Sequence, residues 1–120
     1  MTVLLTAAQR QVEILAVAPD AQASTNTATA VAGSALDARP WRSVAYTIVG
    51  ATQTIEWWVY GANAADFSDE VIVDGPADVA AAAVDSYAVA QAPYAYYRVK
   101  IKSKVNDVHG AALVRGLAKS

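Results

Sequence analysis

The 120-residue sequence has no cysteine, one histidine, one methionine and one phenylalanine. Without cysteine there is no disulfide framework, no thiol chemistry and no Cys-based zinc site, and the redox compartment is left open. His109 lies beside Gly110 in a turn-like stretch, and no serine sits in a nucleophile-elbow context. A base needs a positioned nucleophile and an orienting partner, so a catalytic centre is poorly supplied. There is no Gly-rich phosphate loop and no metal-ligand spacing of the zinc kind. The first residues, Met1 to Ala8, lack a basic flank, and Arg10 and Glu13 soon interrupt them. They read as neither a signal peptide nor a membrane span. Net charge is −2, close to balance, which argues against nucleic acid as an obligate partner.

What is present is β pattern. Thr54-Ile55-Glu56-Trp57-Trp58-Val59-Tyr60 puts Ile55, Trp57 and Val59 on one side and Glu56, Trp58 and Tyr60 on the other. Each large ring can bury roughly 150–250 Å², so this stretch predicts an interior strand. Trp41 to Val49 predicts another, with Val44, Tyr46 and Ile48 inward, and the short Gly50–Gln53 connection predicts a hairpin between the two. Val71-Ile72-Val73 reads as a strand ended by the turn Asp74-Gly75-Pro76. Ala77 to Val84 reads as a loop or a strand–loop–strand step, and Ser86 to Ala90 alternates again. Ala92 to Lys104 is a strong amphipathic strand, with Tyr97, Val99 and Ile101 inward and Tyr96, Arg98, Lys100 and Lys102 outward. His109 to Leu117 returns as a last strand.

The N-terminal third is different. Gln11 to Ala18 alternates as a first strand, stopped at Pro19-Asp20. Ala21 to Gly33 is small and polar, carries no charge, and reads as a long irregular stretch with one short strand near Thr27–Val31. It is either a surface loop or an arm that lies flat on another protein. The fold expected is one all-β domain, an antiparallel β-sandwich or jelly-roll-like barrel, with an N-terminal strand and extended arm (1–35) and a sandwich body (36–120). The alanine-rich composition limits the area buried per residue and hints at oligomerisation.

Charge is segregated. No Lys or Arg falls between Arg42 and Arg98, an interval holding Glu56, Asp66, Asp69, Glu70, Asp74, Asp78 and Asp85, whereas six of the nine basic residues follow it. Complementary patches that dock subunits are one reading; a basic strand facing an acidic loop within one chain is the other. The acidic cluster Asp66, Asp69, Glu70 and Asp74, with Asn63 nearby, could offer oxygen ligands to calcium, but lacks EF-hand spacing and reads first as solvated loop carboxylates. Trp58, Tyr60 and Tyr96 face outward together, as an interface, as the second buried face of a central strand, or as a platform for sugars.

Leu36-Asp37-Ala38-Arg39-Pro40-Trp41-Arg42-Ser43-Val44-Ala45-Tyr46-Thr47-Ile48 resembles a segment of small β-sandwich virion proteins of tailed phages. So do Ile55 to Asn63 with Asp66-Phe67-Ser68-Asp69, and the ending Tyr96 to Ser103 followed by His109 to Gly116. The resemblance spans residues 36–117 and rests on structural motifs. It implies a capsid decoration (cementing) protein on the outer surface of a phage head, homo-oligomeric and often trimeric, whose partner is the major capsid protein. It carries over no catalytic residue, cofactor or metal. The candidate interface residues are Ser24, Thr25, Asn26, Thr27 and Thr29 of the arm, and Trp58, Tyr60, Tyr96, Arg98, Lys100 and Lys102 of the strand face. A tail or connector role and a carbohydrate-binding or adhesion module are the alternatives.

Overall fold

In the computed structural model, residues 11–13, 20–24, 30–39, 43–51, 53–104 and 110–119 are described. Ten strands are present: β1 (Gln11–Glu13), β2 (Asp20–Ser24), β3 (Val31–Ala32), β4 (Leu36–Asp37), β5 (Ser43–Gly50), β6 (Ile55–Ala62), β7 (Val71–Val79), β8 (Val84–Val89), β9 (Tyr96–Ser103) and β10 (Gly110–Lys119). They form two five-stranded antiparallel sheets. The first has the order β1-β10-β5-β8, with β2 also on β10; the second has β3-β9-β6-β7, with β4 also on β9. The all-β, antiparallel sandwich expected from the alternation is what the chain forms.

The period-two patterns decide the core. Val44, Tyr46 and Ile48 of β5 and Ala112, Val114 and Ala118 of β10 point inward from the first sheet. Ile55, Trp57 and Val59 of β6 and Tyr97, Val99 and Ile101 of β9 meet them from the second. Each large apolar side chain so buried contributes about 1.5–3 kcal/mol, which is why the aromatic β6 occupies an interior position of its sheet rather than an edge.

Four local expectations are corrected. The Gly50–Gln53 connection does not close a hairpin: β5 and β6 lie in different sheets. Ala51 N–H still donates to Ala111 O of the first sheet at 3.0 Å, while Thr54 O accepts Lys104 N–H of the second at 3.0 Å. The chain therefore crosses layers within three residues, and the inward faces of β5 and β6 oppose each other across the core instead of lying side by side. A hairpin and an arch share one alternation pattern, so the sequence did not distinguish them.

Asp74-Gly75-Pro76 is no chain-reversing turn but lies inside β7. The pairing of β7 with β6 slips between Trp57 and Val59 and again between Val59 and Tyr60. Gly75 has φ +101°, and a Cβ there would lie 2.6 Å from the Trp57 carbonyl oxygen. Pro76 donates no hydrogen bond, which an edge strand tolerates. The turn residues serve a bulged edge.

Asp20 begins a strand where a stop was expected, and residues 20–24 are not irregular chain: β2 pairs with β10 from Asp20↔Val114 to Ser24↔Gly110. Ladder hydrogen bonds need no large side chain, so an Ala/Ser segment can join a sheet that its composition does not advertise. Of the first strand expected over Gln11–Ala18, Gln11–Glu13 pairs with β10, and 14–18 lie outside the described residues. Finally, Val31–Ala32 pairs with Ile101 and Lys100 of β9, so the short strand sits at the end of the stretch expected for it.

Candidate assembly surfaces

The outer face of the second sheet carries the strand-face residues singled out in the sequence. The register sets Glu56 opposite Lys102, Trp58 opposite Lys100, Tyr60 opposite Arg98 and Ala62 opposite Tyr96. All of these outer side chains from Glu56 to Tyr60 and from Tyr96 to Lys102 are half-buried. Tyr96, Arg98 and Lys100 are covered by the 63–70 loop, which its own carboxylates shape. Asp69 accepts the Asn63 and Ala64 N–H groups at 3.1–3.2 Å, and Asp66 accepts Ser68 N–H at 2.9 Å, which holds its own carboxyl below the usual carboxylate range. Asn63 Oδ1 in turn accepts Ala95 N–H at 3.2 Å. Phe67, buried and at φ 59°, and Glu70 are thereby delivered onto β9.

The result is a continuous alternation of rings and charges. The Arg39 guanidinium lies 5.2 Å from the Tyr96 ring centre, and Tyr96 lies 6.4 Å from Phe67. Arg98 stacks on Phe67 at 4.3 Å and donates to Glu70 Oε1 at 2.8 and 3.1 Å. Lys100 Nζ donates to Glu70 Oε2 at 2.7 Å and stands 4.3 Å over the Tyr60 ring. Burial pushes the Glu70 carboxyl up, but the hydrogen bonds from Lys100 and Arg98 outweigh it and leave the group below its ordinary value. The Arg98, Glu70 and Lys100 side chains are 25%, 21% and 19% exposed, so this network is shielded well beyond a typical surface pair. Lys104 reaches Glu56 and Asp78 at 3.8 and 3.6 Å.

The segregated charges therefore meet within one chain. Arg98, Lys100 and Lys104 are paired intramolecularly, while Lys102 has no ion pair among the described residues. Of the acidic residues that could offer calcium ligands, Asp66 and Asp69 cap loop N–H groups, Glu70 binds Arg98 and Lys100, and Asp74 lies in β7. Among the described residues no group of three or more His, Cys, Asp or Glu is placed to hold a metal. Sugar stacking needs open ring faces, yet a cation covers one face of Tyr60 and another lies by Tyr96. Of the expected arm residues, Ser24 is held in β2 against Gly110, and Thr25, Asn26, Thr27 and Thr29 lie outside the described residues, as does His109.

The first sheet presents a surface that the sequence reading passed over. Its outer face is organised in three rows across β10, β5 and β8: Leu113–Val49–Val84, then Arg115–Thr47–Ser86, then Leu117–Ala45–Ala88. Leu113 is 51% and Val84 65% exposed. Two shallow depressions mark it, one of about 290 Å³ beside Thr47, Val49 and Leu113, the other of about 460 Å³ over Ala45, Ala88 and Leu117. The signal was available: in Ala111 to Ala118 both alternating sets are apolar apart from Arg115, the mark of a strand covered on two sides.

This arrangement of two sheets is shared with known structures. Over 85% of this chain and 95% of that one, it is similar to the SPBc2 prophage-derived protein YomS, with 15% identity and a TM-score of 0.54. A chain of Bacillus endospore appendages, a novel family of disulfide-linked pili, matches over 92% of this chain and 86% of that one, with 15% identity and a TM-score of 0.52. A chain of the infectious bursal disease virus particle matches over 93% of this chain and 31% of that one, with 12% identity and a TM-score of 0.54. At these identities the likeness defines a common fold. No protein-family model and no curated protein matches the sequence.

Proposed function

We propose that this chain is a non-enzymatic structural protein of a phage virion, a decoration protein that docks on the outside of the head against the major capsid protein. The observation that carries this reading is the near-complete overlap with a prophage-derived protein of similar size, joined by a virus-particle chain of the same fold. The second-sheet face supports it: Arg98 and Lys100 are paired with Glu70 and stacked on Phe67 and Tyr60 before any partner arrives, so ordering them on docking costs little side-chain entropy. Many such weak contacts, repeated over a shell, add through effective concentration. A fibre of the disulfide-linked kind is disfavoured, because these 120 residues contain no cysteine.

The test is co-purification. A tagged copy produced during phage growth is expected to band with filled heads through a density gradient and to be present in multiple copies per head. Its recovery with tails alone would replace decoration by a tail role, and its absence from all particle fractions would overturn the virion reading.

A further inference from the structure

Among the described strands, most sheet edges are blunted. β7 is bulged and carries Pro76, β1, β3 and β4 are two or three residues long, and β2 is met by β3 and β9 of the other sheet. β8 is different: it ends the first sheet, pairs with β5 through all six of its residues without a slip, and contains no glycine or proline. Gly50 N–H donates to Ala83 O at 3.0 Å, which fixes the phase of this ladder. Asp85, Tyr87 and Val89 therefore turn their backbone groups to β5, and Val84, Ser86 and Ala88 turn theirs away from the sheet. A straight edge of this kind is a template for another strand.

One side chain interrupts the template. Asp85 is the only charged residue of β8 and points inward, where its Oδ2 accepts Trp57 Nε1–H of the second sheet at 2.9 Å. Its Oδ1 accepts Ser86 N–H at 2.8 Å. This cap sits at the centre of the edge, because Val84 and Ala88, the other residues with outward backbone groups, flank Ser86 on either side. Two antiparallel β8 strands related by a two-fold axis would set Ser86 against Ser86 of the second copy, and Val84 against its Ala88. The middle pair would exchange two N–H···O bonds, and each of those N–H groups is already held by Asp85 of its own chain. A carboxylate is a stronger acceptor than a carbonyl, so an incoming strand does not displace it. The Trp57 bond keeps the carboxylate in place.

We infer that Asp85 closes the β8 edge against strand addition by occupying the Ser86 N–H, and so keeps copies of this chain from joining edge to edge. An inward-pointing charge on an edge strand is a known means to that end. The inference goes beyond the virion reading and does not depend on it, because the edge is measured without any particle.

The experiment is amide hydrogen exchange and sedimentation velocity on the full chain, on Asp85→Asn and on Asp85→Asn combined with Ser86→Pro. In Asp85→Asn the amide oxygen still accepts from Trp57, but the NH2 group cannot accept from Ser86, so the core bond survives and the cap is lost. In dilute parent protein Val84 and Ala88 are expected to exchange fast and Ser86 slowly; in dilute Asp85→Asn, Ser86 should exchange about tenfold faster. On concentration, Asp85→Asn is expected to associate about thirtyfold more tightly than the parent, from the two hydrogen bonds made available. Val84, Ser86 and Ala88 should then become protected together. Ser86→Pro removes the central N–H, which does not serve the ladder to β5, and is expected to return association to the parent level. Unchanged circular dichroism would show that the variants fold. A Ser86 amide that exchanges in the parent as fast as Val84 and Ala88 overturns the inference. So does an Asp85→Asn variant that associates no more than the parent, or one whose association Ser86→Pro leaves in place.

Discussion

The Trp57 indole and the Asp85 carboxylate tie the two sheets together: Nε1 donates to Oδ2 at 2.9 Å. Trp57 is 1% exposed and comes from the interior β6, whereas Asp85 comes from the edge strand β8. Asp85→Ala would leave the indole N–H without its acceptor inside the core. A loss of about 1–3 kcal/mol in unfolding free energy is expected, with Asp85→Asn losing less because its amide oxygen can still accept. Denaturant titration of the three proteins checks this, and equal stability of the alanine variant would refute it.

Glu70 gives the fold an acid limit. Its carboxyl is below its ordinary value because the Lys100 and Arg98 hydrogen bonds overcome the effect of burial. The stability it contributes is full above the ordinary glutamate value of about 4.3 and is lost as pH falls through the lowered folded value. Glu70→Gln is expected to cost about 1–2 kcal/mol at neutral pH and to flatten the stability profile below about pH 4.3. An unaltered acid profile in the variant would count against the network.

The alkaline limit should come from tyrosine. Burial, with the nearby Asp74, raises Tyr87, and burial raises Tyr97 above the ordinary phenol value. A raised group contributes stability that is complete below about pH 10 and disappears as pH climbs through the folded value. Phenolate absorbance should therefore show late-titrating tyrosines that appear together with unfolding. Tyr87→Phe should move unfolding to higher pH.

Gly50 ends β5 where the chain leaves the first sheet, and a Cβ there would collide with the Ala80 carbonyl oxygen. Gly50 O also accepts Ala82 N–H at 2.8 Å, so neither backbone segment can retreat freely. Gly50→Ala is expected to destabilise the protein by about 1–3 kcal/mol. A neutral result in thermal unfolding would mean that the 80–83 turn gives way easily.

Lys102 is the clean electrostatic probe of docking. Lys100→Glu would also break the Glu70 contacts, whereas Lys102 has no ion pair among the described residues and faces Glu56 in the register. Reversal to Lys102→Glu should cost the fold only about 0.2–1 kcal/mol while lowering occupancy on heads, more so at low salt. Full occupancy at all ionic strengths would remove the charged face from the docking contact.

Much of the fold could be read in advance, and particular residues show why. The inward sets Val44–Tyr46–Ile48, Ile55–Trp57–Val59 and Tyr97–Val99–Ile101 are fixed by alternation, because side chains on a strand must point to opposite sides and apolar area must leave water. The outward position of Trp58, Tyr60, Arg98 and Lys100 followed from the same rule. Whether the opposite charges would meet within the chain did not follow, since pairing Arg98 with Glu70 spans 28 residues and depends on how the 63–70 loop folds back over β9.

The amino-acid sequence by itself determined that this protein is a layered β structure with Trp57, Tyr46 and Tyr97 at its centre and no thiol chemistry. Both conclusions follow from local periodicity and composition, which need no knowledge of distant contacts. Only the tertiary structure decided that Gly50–Thr54 is an arch between sheets, that Asp74-Gly75-Pro76 is a bulged edge, and that Asp20–Ser24 joins β10. It also decided that Leu113, Val49 and Val84 form one row on an open face. Strand partners and register are set by long-range hydrogen bonds between backbones that look alike in every residue, and so they emerge only when the two layers close on a shared core.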